Sequence, residues 1–425
     1  MIGSHVGPRA TLLVPGGSAV RIPSLRGVLS TRDADLDAVA RDFGNRVHHR
    51  PLAVLRPADP ADVAAVVRFG RDCGLAVVPR GAGHSVDGQA QAKDGIVVDL
   101  SSLAAVHELG PDWIRVEAGA RWSAVVAATL PCGLAPPVLP DYLELSVGGT
   151  LSVGGLGGAS HQYGCVADNV LELEVVTPEG TLLTCSPTRN AELFDAVRAS
   201  QGQHGIMTGV TLALTEARST ARRYLLGYRD LGAFLADQQR LTEDRRFDHV
   251  AGQARHEGPG WLFVLEAMKA FVPPNEPDDR DLLDHLAYQR GTEVIETTGY
   301  EAFLQRLAPF EASMRALGSW QRHPHPRCNV LLPGRHAEVI ISETLDNLPP
   351  EDLGVGGSVL IYPVPTACLA APRMPKAHDA TTVLFGVQRT APPGDRAALD
   401  HMRRSNAALR MRAQRAGGAS YSPPR

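Results

Sequence analysis

The chain has 425 residues, more than one hydrophobic core usually serves, so we expect two or three domains. Hydrophobic residues make up 44% of the chain and charged residues 21%, values that exclude global disorder and fibrous repeats. The formal net charge of -4 gives no reason to expect nucleic acid or an anionic membrane as a partner.

No apolar run reaches the roughly 18 residues that a membrane span needs, so no span is expected. Residues 1–17 lack a basic segment followed by an apolar core, the pattern of a secretion signal. We therefore expect a cytoplasmic protein.

The first part of the chain predicts alternating short strands and helices. Residues 1–45 carry little periodic signal, whereas Asp59 is a good N-cap for a helix that begins at Pro60 and ends at Gly74. The elements predicted up to residue 215 are helices over residues 32–43, 60–73, 122–130 and 191–199, strands over residues 75–79, 96–100, 113–118 and 206–214, and a hairpin over residues 170–185. Such alternation is typical of an α+β domain.

The pattern restarts near Arg222 with a strand, a helix over residues 231–241 and a further strand. The polar stretch 273–279 is interpreted as a surface loop, since regular patterns continue on both sides of it. More strands are predicted over residues 329–332, 358–362 and 381–387, and a basic helix over residues 396–415.

The cysteines and histidines predict no metal site. The six cysteines are scattered, without a C-x-x-C pair or regular spacing, which disfavours both zinc and a disulfide framework. The pairs His48-His49 and His323-His325 are adjacent or separated by one proline, and no carboxylate cluster accompanies them.

Two glycine-rich segments, residues 79–85 and 147–158, are predicted to be loops and are the first candidates for a binding site. Small residues let backbone N–H groups approach a pyrophosphate, and a backbone almost free of side chains can lie against a large flat ligand. The alternative is that both are only sets of tight turns. Neither completes G-x-G-x-x-G or a P-loop, which disfavours a Rossmann NAD site and a nucleotide hydrolase.

The first segment continues as R-G-A-G-H-S-V-D-G-Q over residues 80–89, which resembles the flavin-attachment loop of vanillyl-alcohol-oxidase-type (PCMH-type) FAD enzymes, and of cytokinin dehydrogenases in particular. Residues 140–152 resemble the D-Y-L-x-L-[TS]-V-G-G-T-L-S block of cytokinin dehydrogenases. Residues 169–177, 202–206 and 325–329 are similar to later blocks, the last of them to H-P-W-L-N.

The resemblance implies a two-domain α+β fold. Beyond an N-terminal segment of residues 1–45, residues 46–215 would form the PCMH-type FAD domain and residues 216–390 a substrate domain with an antiparallel sheet flanked by helices. Residues 391–425 would carry a helix that packs back on the FAD domain.

The resemblance also implies that FAD is bound covalently, through His84 and the 8α carbon of the flavin. A neutral imidazole is a competent nucleophile for such a bond. The residues that would contact the cofactor are Gly81, Ala82, Gly83, His84, Ser85, Gln89, Asp141, Ser146, Gly149, Thr150, Ser152, Leu156 and Ile206.

Asp141 corresponds to the family aspartate that takes a proton from the substrate, while a hydride passes to the flavin. By itself it could equally be a turn residue after Pro140. We expect an FAD-dependent oxidase or dehydrogenase of a small amine-type substrate, with oxygen or a quinone-like compound as electron acceptor. The alternatives are an oxidase of an alcohol, a sugar or a secondary-metabolite intermediate, and a non-catalytic flavin- or ligand-binding relative.

Three departures bear on the substrate. Ala251 stands where the family has a substrate-contacting glutamate, and Arg327 replaces a tryptophan by a cation able to pair with an anionic substrate. Asn329, which matches a substrate-site asparagine, is retained. The sequence also ends at Arg425, short of the family's W-x-x-H-F-G and S-P-G-Q segments, from which we expect a more open flavin edge, a covering subunit or an impaired protein.

Two more residues are candidates near the second glycine segment. His161 either faces the flavin or is a simple loop residue. Cys165 follows the glycines, whereas the second flavin tether of berberine-bridge-type relatives precedes them, so a single covalent link is expected.

Overall fold

The first half of the chain contains two main sheets, of four and five strands, and the five-stranded sheet shares a hydrophobic core with one large sheet from the second half. The computed structural model of the protein describes residues 11–258 and 260–421. Helices cover the sheets, which are mostly antiparallel, so the predicted α+β class is confirmed. Within the described residues, no helix has both the length and the apolar character that crossing a bilayer requires.

The first half contains a four-stranded sheet in the order β3-β4-β6-β5 and a five-stranded antiparallel sheet in the order β11-β10-β12-β8-β7. Strands β4, β6 and β5 are parallel. The elements are β1 (Thr11–Leu13), β2 (Ala19–Arg21), β3 (Val28–Ser30), α1 (Asp33–Val39), β4 (Ala53–Arg56), α2 (Pro60–Asp72), β5 (Val77–Arg80), β6 (Ile96–Asp99), β7 (Val106–Leu109), β8 (Trp113–Glu117), α3 (Trp122–Thr129), β9 (Leu134–Ala135), α4 (Val147–Val153), α5 (Ser160–Tyr163), β10 (Val170–Val176), β11 (Leu182–Cys185), α6 (Ala191–Val197), β12 (Ile206–Ala213) and β13 (Thr215–Glu216).

The second half forms an eight-stranded antiparallel sheet in the order β17-β14-β16-β15-β19-β20-β18-β21. Its elements are β14 (Thr220–Tyr228), α7 (Leu231–Asp244), β15 (His249–Glu257), β16 (Gly260–Phe271), α8 (Asp279–Leu282), β17 (Val294–Gly299), α9 (Tyr300–Leu304), α10 (Ala308–Ala316), α11 (Ser319–Arg322), β18 (Cys328–Pro333), α12 (Gly334–Asp346), α13 (Pro350–Leu353), β19 (Ser358–Pro365), β20 (Thr381–Gln388), α14 (Arg396–Arg415) and β21 (Ala419–Ser420).

The large sheet is buried on both faces. Side chains alternate across a strand, so Leu331 and Leu384 belong to the core shared with the first half of the chain. Val330 and Phe385 belong to a second core under α7, α12 and α14. The face that carries Leu384 is turned toward the first half of the chain, and it also forms one wall of the cavity described below.

Most predicted elements are present, including α2 with its cap, where the Asp59 side chain accepts a hydrogen bond from the backbone N–H of Asp62. Two expectations were wrong. The second glycine segment is not a loop throughout, since Val147–Val153 form the helix α4. Glycine serves close packing here, because a Cβ atom at Gly148 would lie 2.9 Å from the Cβ of Ala118.

The terminal helix α14 was expected to pack on the FAD domain. It packs instead against β18, β21 and α12 of the large sheet. Its buried residues Leu409 and Ala413 lie in the core of that sheet. The reason is its single apolar face, which covers a sheet face that would otherwise be exposed to water.

Gly157 is the point at which the second glycine segment touches the chain just before Asp141. A Cβ atom at residue 157 would overlap the carbonyl oxygen of Leu139, a backbone atom that cannot rotate away. The substitution Gly157→Ala should therefore lower the free energy of unfolding by about 1–3 kcal/mol, measured by chemical denaturation. Gly299→Ala is the control, since a Cβ atom there meets nothing within 4 Å. Equal stability of the two variants would contradict the packing argument.

Candidate active site

A cavity of about 420 Å³ lies between the two glycine segments and the large sheet. Apart from Ala251, it brings together all the residues predicted above to contact the cofactor, to act as the base or to bind the substrate. The predicted residues that line it are Gly81, Ala82, Gly83, His84, Ser85, Gln89, Asp141, Ser146, Gly149, Thr150, Ser152, Leu156, Ile206, Arg327 and Asn329.

The first glycine segment contacts Ser146, the residue directly before the second segment. The backbone N–H of Ala82 donates a hydrogen bond to the Ser146 hydroxyl over 3.3 Å. A Cβ atom at Gly81 would overlap that hydroxyl, and Gly83 has a positive φ of 68°. Only glycine meets both demands without strain, which leaves the backbone bare on the cavity side.

The segment just after α1 holds the first glycine loop in place, a role that sequence reasoning missed. The N–H groups of Phe43 and Gly44 donate to the carbonyl oxygens of Gly83 and Ser85 over 2.9 and 3.0 Å. One carboxylate oxygen of Asp42 accepts from the Ser85 hydroxyl over 2.9 Å and from the N–H of Gly88 over 2.7 Å. Burial raises the pKa of Asp42 above its ordinary value.

The ring of His84 lies among aromatic rings. It stacks on Phe43 with centroids 4.1 Å apart, and the centroid of Tyr142 is 5.1 Å away. Burial, together with the charges at Arg327 and His325, holds the pKa of His84 well below its ordinary value of 6.5. The imidazole is therefore neutral at physiological pH, which leaves a ring nitrogen free to act as a nucleophile.

The residues present fit FAD. Three buried polar atoms in or beside the first loop have no hydrogen-bond partner in the part of the chain described: Asp42 Oδ1, Arg80 Nη1 and Gln89 Nε2. Further backbone with positive φ lines the cavity at Gln201 and Gly202. Bare backbone next to unpaired polar groups suits a dinucleotide, which brings phosphate, hydroxyl and ring groups to meet them.

Asp141 belongs to a buried ionic network that the sequence did not indicate. Its Oδ1 accepts from Nη2 of Arg306 over 2.6 Å, and Nε of Arg306 donates to Oε1 of Glu266 over 3.0 Å. Arg223 donates to the same oxygen over 2.6 Å. The Arg306 side chain is only 8% exposed, so this network is shielded from water.

The charges in this network balance. Burial alone would lower the pKa of Arg306, but Asp141 and Glu266 outweigh it and raise the pKa above its ordinary value. Burial opposes ionisation of Glu266 as well, yet Arg306, His249 and Arg223 lower its pKa. The pKa of His249 falls to about 4, through burial and the charge of Arg306. A permanently charged arginine thus holds Asp141 in position.

The three substrate candidates are placed differently. Arg327 and Asn329 line the cavity, where Oδ1 of Asn329 accepts from the Gln388 amide over 2.6 Å. Ala251 is outside the lining, buried on β15 directly across from Glu266 of β16. We expected Ala251 to contact the substrate. In the structure it lies instead on a strand next to the ionic network.

The last described residues reach the cavity. Strand β21 pairs with β18, and Tyr421 follows it with its hydroxyl accepting from the N–H of Gly155 over 3.0 Å. Tyr421 is itself part of the lining. The expectation of a more open flavin edge concerns the chain beyond this point, and residues 422–425 lie outside the described residues.

The remaining candidates serve the structure. His161 is 1% exposed and has its ring nitrogens 2.9 Å and 3.2 Å from the carbonyl oxygens of Gly158 and Phe247. Burial raises the pKa of the Cys165 thiol. Neither residue is among those that line the cavity.

Two family models match the chain. Residues 51–186 match an FAD binding domain, and residues 244–415 match "Cytokinin dehydrogenase 1, FAD and cytokinin binding". The second match includes α14, in agreement with the packing of that helix on the large sheet. The domain boundaries at residues 45, 215 and 390 stay predictions.

Curated relatives match over most of the chain. An uncharacterised oxidoreductase of the fasciation locus of Rhodococcoides fascians is 42% identical over 399 residues, which cover 94% of this chain and 90% of that protein. Cytokinin dehydrogenase 4 of Oryza sativa subsp. japonica is 33% identical over 83% of this chain and 76% of that protein. The chain belongs to the cytokinin dehydrogenase family. It is an FAD-dependent oxidoreductase of the oxidase and dehydrogenase kind.

The family chains are not all of one length. The match to cytokinin dehydrogenase 1 of Arabidopsis thaliana, 33% identical, covers 78% of this chain but only 64% of that protein. Among solved structures, 6-hydroxy-D-nicotine oxidase from Arthrobacter nicotinovorans matches with a TM-score of 0.71 and 23% identity, over 92% of this chain and 87% of that one. This likeness confirms the PCMH-type two-domain fold and says nothing of the substrate.

The contact between Asp42 and the first glycine loop generates a prediction. Asp42→Ala removes the acceptor for Ser85 and Gly88, so the loop should loosen and bind FAD less well. We expect a lower flavin content per protein, measured from the ratio of flavin to protein absorbance. Asp37→Ala is the control, because the Asp37 side chain is exposed and, among the described residues, pairs with Arg50. A full flavin content in the Asp42 variant would show that the contact is dispensable.

Proposed function

We propose that the family member described here carries its FAD covalently on His84 and oxidises a small amine-type substrate with Asp141 as the base. The observation that supports this most is the shared cavity: one lining contains a neutral imidazole, an arginine-held carboxylate and the bare backbone of two glycine segments. The chemistry that FAD would supply there is the uptake of a hydride, which carries two electrons, from the substrate carbon.

His84 suits attachment because its ring is neutral, buried and held by the stack on Phe43. The loop that carries it is fixed from both sides, by Asp42 and by Ser146. An immobile nucleophile loses little conformational freedom when it forms a bond. The tether would prevent loss of the cofactor.

Asp141 suits proton removal because one of its carboxylate oxygens is held by Arg306 while the residue faces the cavity. Oxidation of a C–N bond moves a hydride off the carbon and a proton off the nitrogen, and a fixed carboxylate can accept that proton. Glu266 keeps Arg306 neutralised when Asp141 gains its proton, so no unpaired charge is left buried.

A second candidate is the oxidation of an alcohol or a sugar. It needs the same base, since the proton then leaves a hydroxyl group. The neutral amides of Asn329 and Gln388 in the lining favour it, because they can form hydrogen bonds with the hydroxyl groups of such a substrate. In either case the electrons would pass on to oxygen or a quinone-like acceptor.

The covalent link predicts whether the flavin is found with the precipitated protein or in the supernatant. After acid precipitation of the wild-type protein, the flavin should stay with the pellet, and in His84→Ala it should move to the supernatant. His48→Ala, an exposed histidine on the preceding segment, is the control and should keep its flavin in the pellet. Wild-type flavin found in the supernatant would contradict the covalent link without touching FAD binding.

The role of Asp141 as the base predicts that its replacement slows reduction of the flavin without loss of the cofactor. Asp141→Asn keeps the shape of the side chain but cannot take a proton, so anaerobic bleaching by a panel of amines, alcohols and sugars should slow by about 10²- to 10⁴-fold. The flavin content should stay unchanged. Glu144→Gln is the control, since Glu144 is a partly exposed carboxylate that pairs with Arg121.

Two outcomes would count against these roles. If the flavin of the Asp141→Asn variant is reduced as fast as the flavin of the wild type, Asp141 is not the base. A flavin that no compound of the panel bleaches would favour the non-catalytic binder.

A further inference from the structure

Arg327 contributes a positive charge to the wall of the cavity. It comes directly before β18, and its guanidinium carbon lies 4.6 Å from the centroid of the Phe43 ring. Phe43 stacks in turn on His84 and on His325. The arginine is therefore part of the same aromatic cluster that holds the proposed flavin anchor.

No protein group in the described part of the chain neutralises this charge. Nε of Arg327 is buried without a hydrogen-bond partner, and neither an ion pair nor a side-chain hydrogen bond reaches the guanidinium. Burial alone lowers the pKa of Arg327 to about 10, with no carboxylate acting against it. Burying an unpaired cation is costly, so folding alone does not account for it.

The contrast with Arg306 is direct. Arg306 is also buried, but it lies between the carboxylates of Asp141 and Glu266. Around Arg327 the nearby ionisable groups are His84 and His325, and the pKa of each is lowered by burial and by this arginine. Among the described residues of the lining, the charged side chains are Asp141 and Arg327, and Asp141 is already paired.

We propose that Arg327 binds an anionic oxygen group of the substrate, a carboxylate in the first instance. The substrate would then be a small amine or alcohol that also carries a carboxylate, and not a neutral compound. A guanidinium presents paired N–H donors that match a carboxylate, and Asn329 and Gln388 add neutral polar groups on the same wall. This inference rests on the proposed function, because it assigns the substrate class of that site.

The test compares a carboxylate with its neutral isostere on the oxidised protein as purified, with its flavin. Benzoate and benzamide have nearly the same shape, so their dissociation constants, from flavin absorbance changes and from calorimetry, differ mainly through charge. We expect benzoate to bind at least about tenfold more tightly to wild type. Arg327→Gln should abolish that preference, and Arg327→Lys should keep part of it.

Arg255→Gln is the matched control, since it removes one positive charge from an exposed position on the same sheet. It should leave the preference unchanged. Equal binding of benzoate and benzamide to wild type would overturn the proposal, and it is also the result expected if the flavin itself neutralises Arg327. A preference that survives in Arg327→Gln would overturn it too.

Failure of this proposal and failure of the proposed function look different. If benzoate is preferred but no compound of the panel bleaches the flavin, oxidation fails and the anion site stands. If amines bleach the flavin while the charge preference is absent, the oxidation stands and the anion site fails.

Discussion

The site depends on glycine residues at the places where segments distant in sequence come into contact, because only backbone atoms fit there. Gly81 lies against the Ser146 hydroxyl, and Gly157 lies against the carbonyl oxygen of Leu139. A single Cβ atom at either place would push the segments apart. The cavity therefore exists because these positions carry no side chain, and its bare walls are the surface that a large flat cofactor needs.

Charge is organised around this cavity in two different ways. On the Asp141 side, buried carboxylates and arginines neutralise one another in a network continuous with the large sheet. On the Arg327 side, a cation lies against an aromatic cluster and has no counter-ion in the part of the chain that the structure describes. Buried charges are tolerated only when they are paired. The protein itself neutralises the charges on the Asp141 side, whereas we propose that an anionic ligand neutralises Arg327.

The sequence predicted the cavity lining far better than the interactions behind it. Contiguous motifs contain His84, Asp141 and Ser146. Such motifs can be recognised in the sequence without knowledge of the fold. Arg306 and Glu266 lie 165 and 125 positions from Asp141 along the chain, and nothing local indicates that they converge. Asp42 was overlooked for the same reason, because its weakly periodic surroundings suggested little order.

The sequence by itself determined the fold class, the family and most of the residues that line the cavity, because each depends on local patterns of glycine, apolar spacing and motif letters. Only the tertiary structure decided that α14 covers the large sheet, that Ala251 lies outside the cavity lining and that Arg327 has no counter-ion among the described residues. These facts depend on which faces meet across long sequence separations, and on the balance of burial and charge that results there.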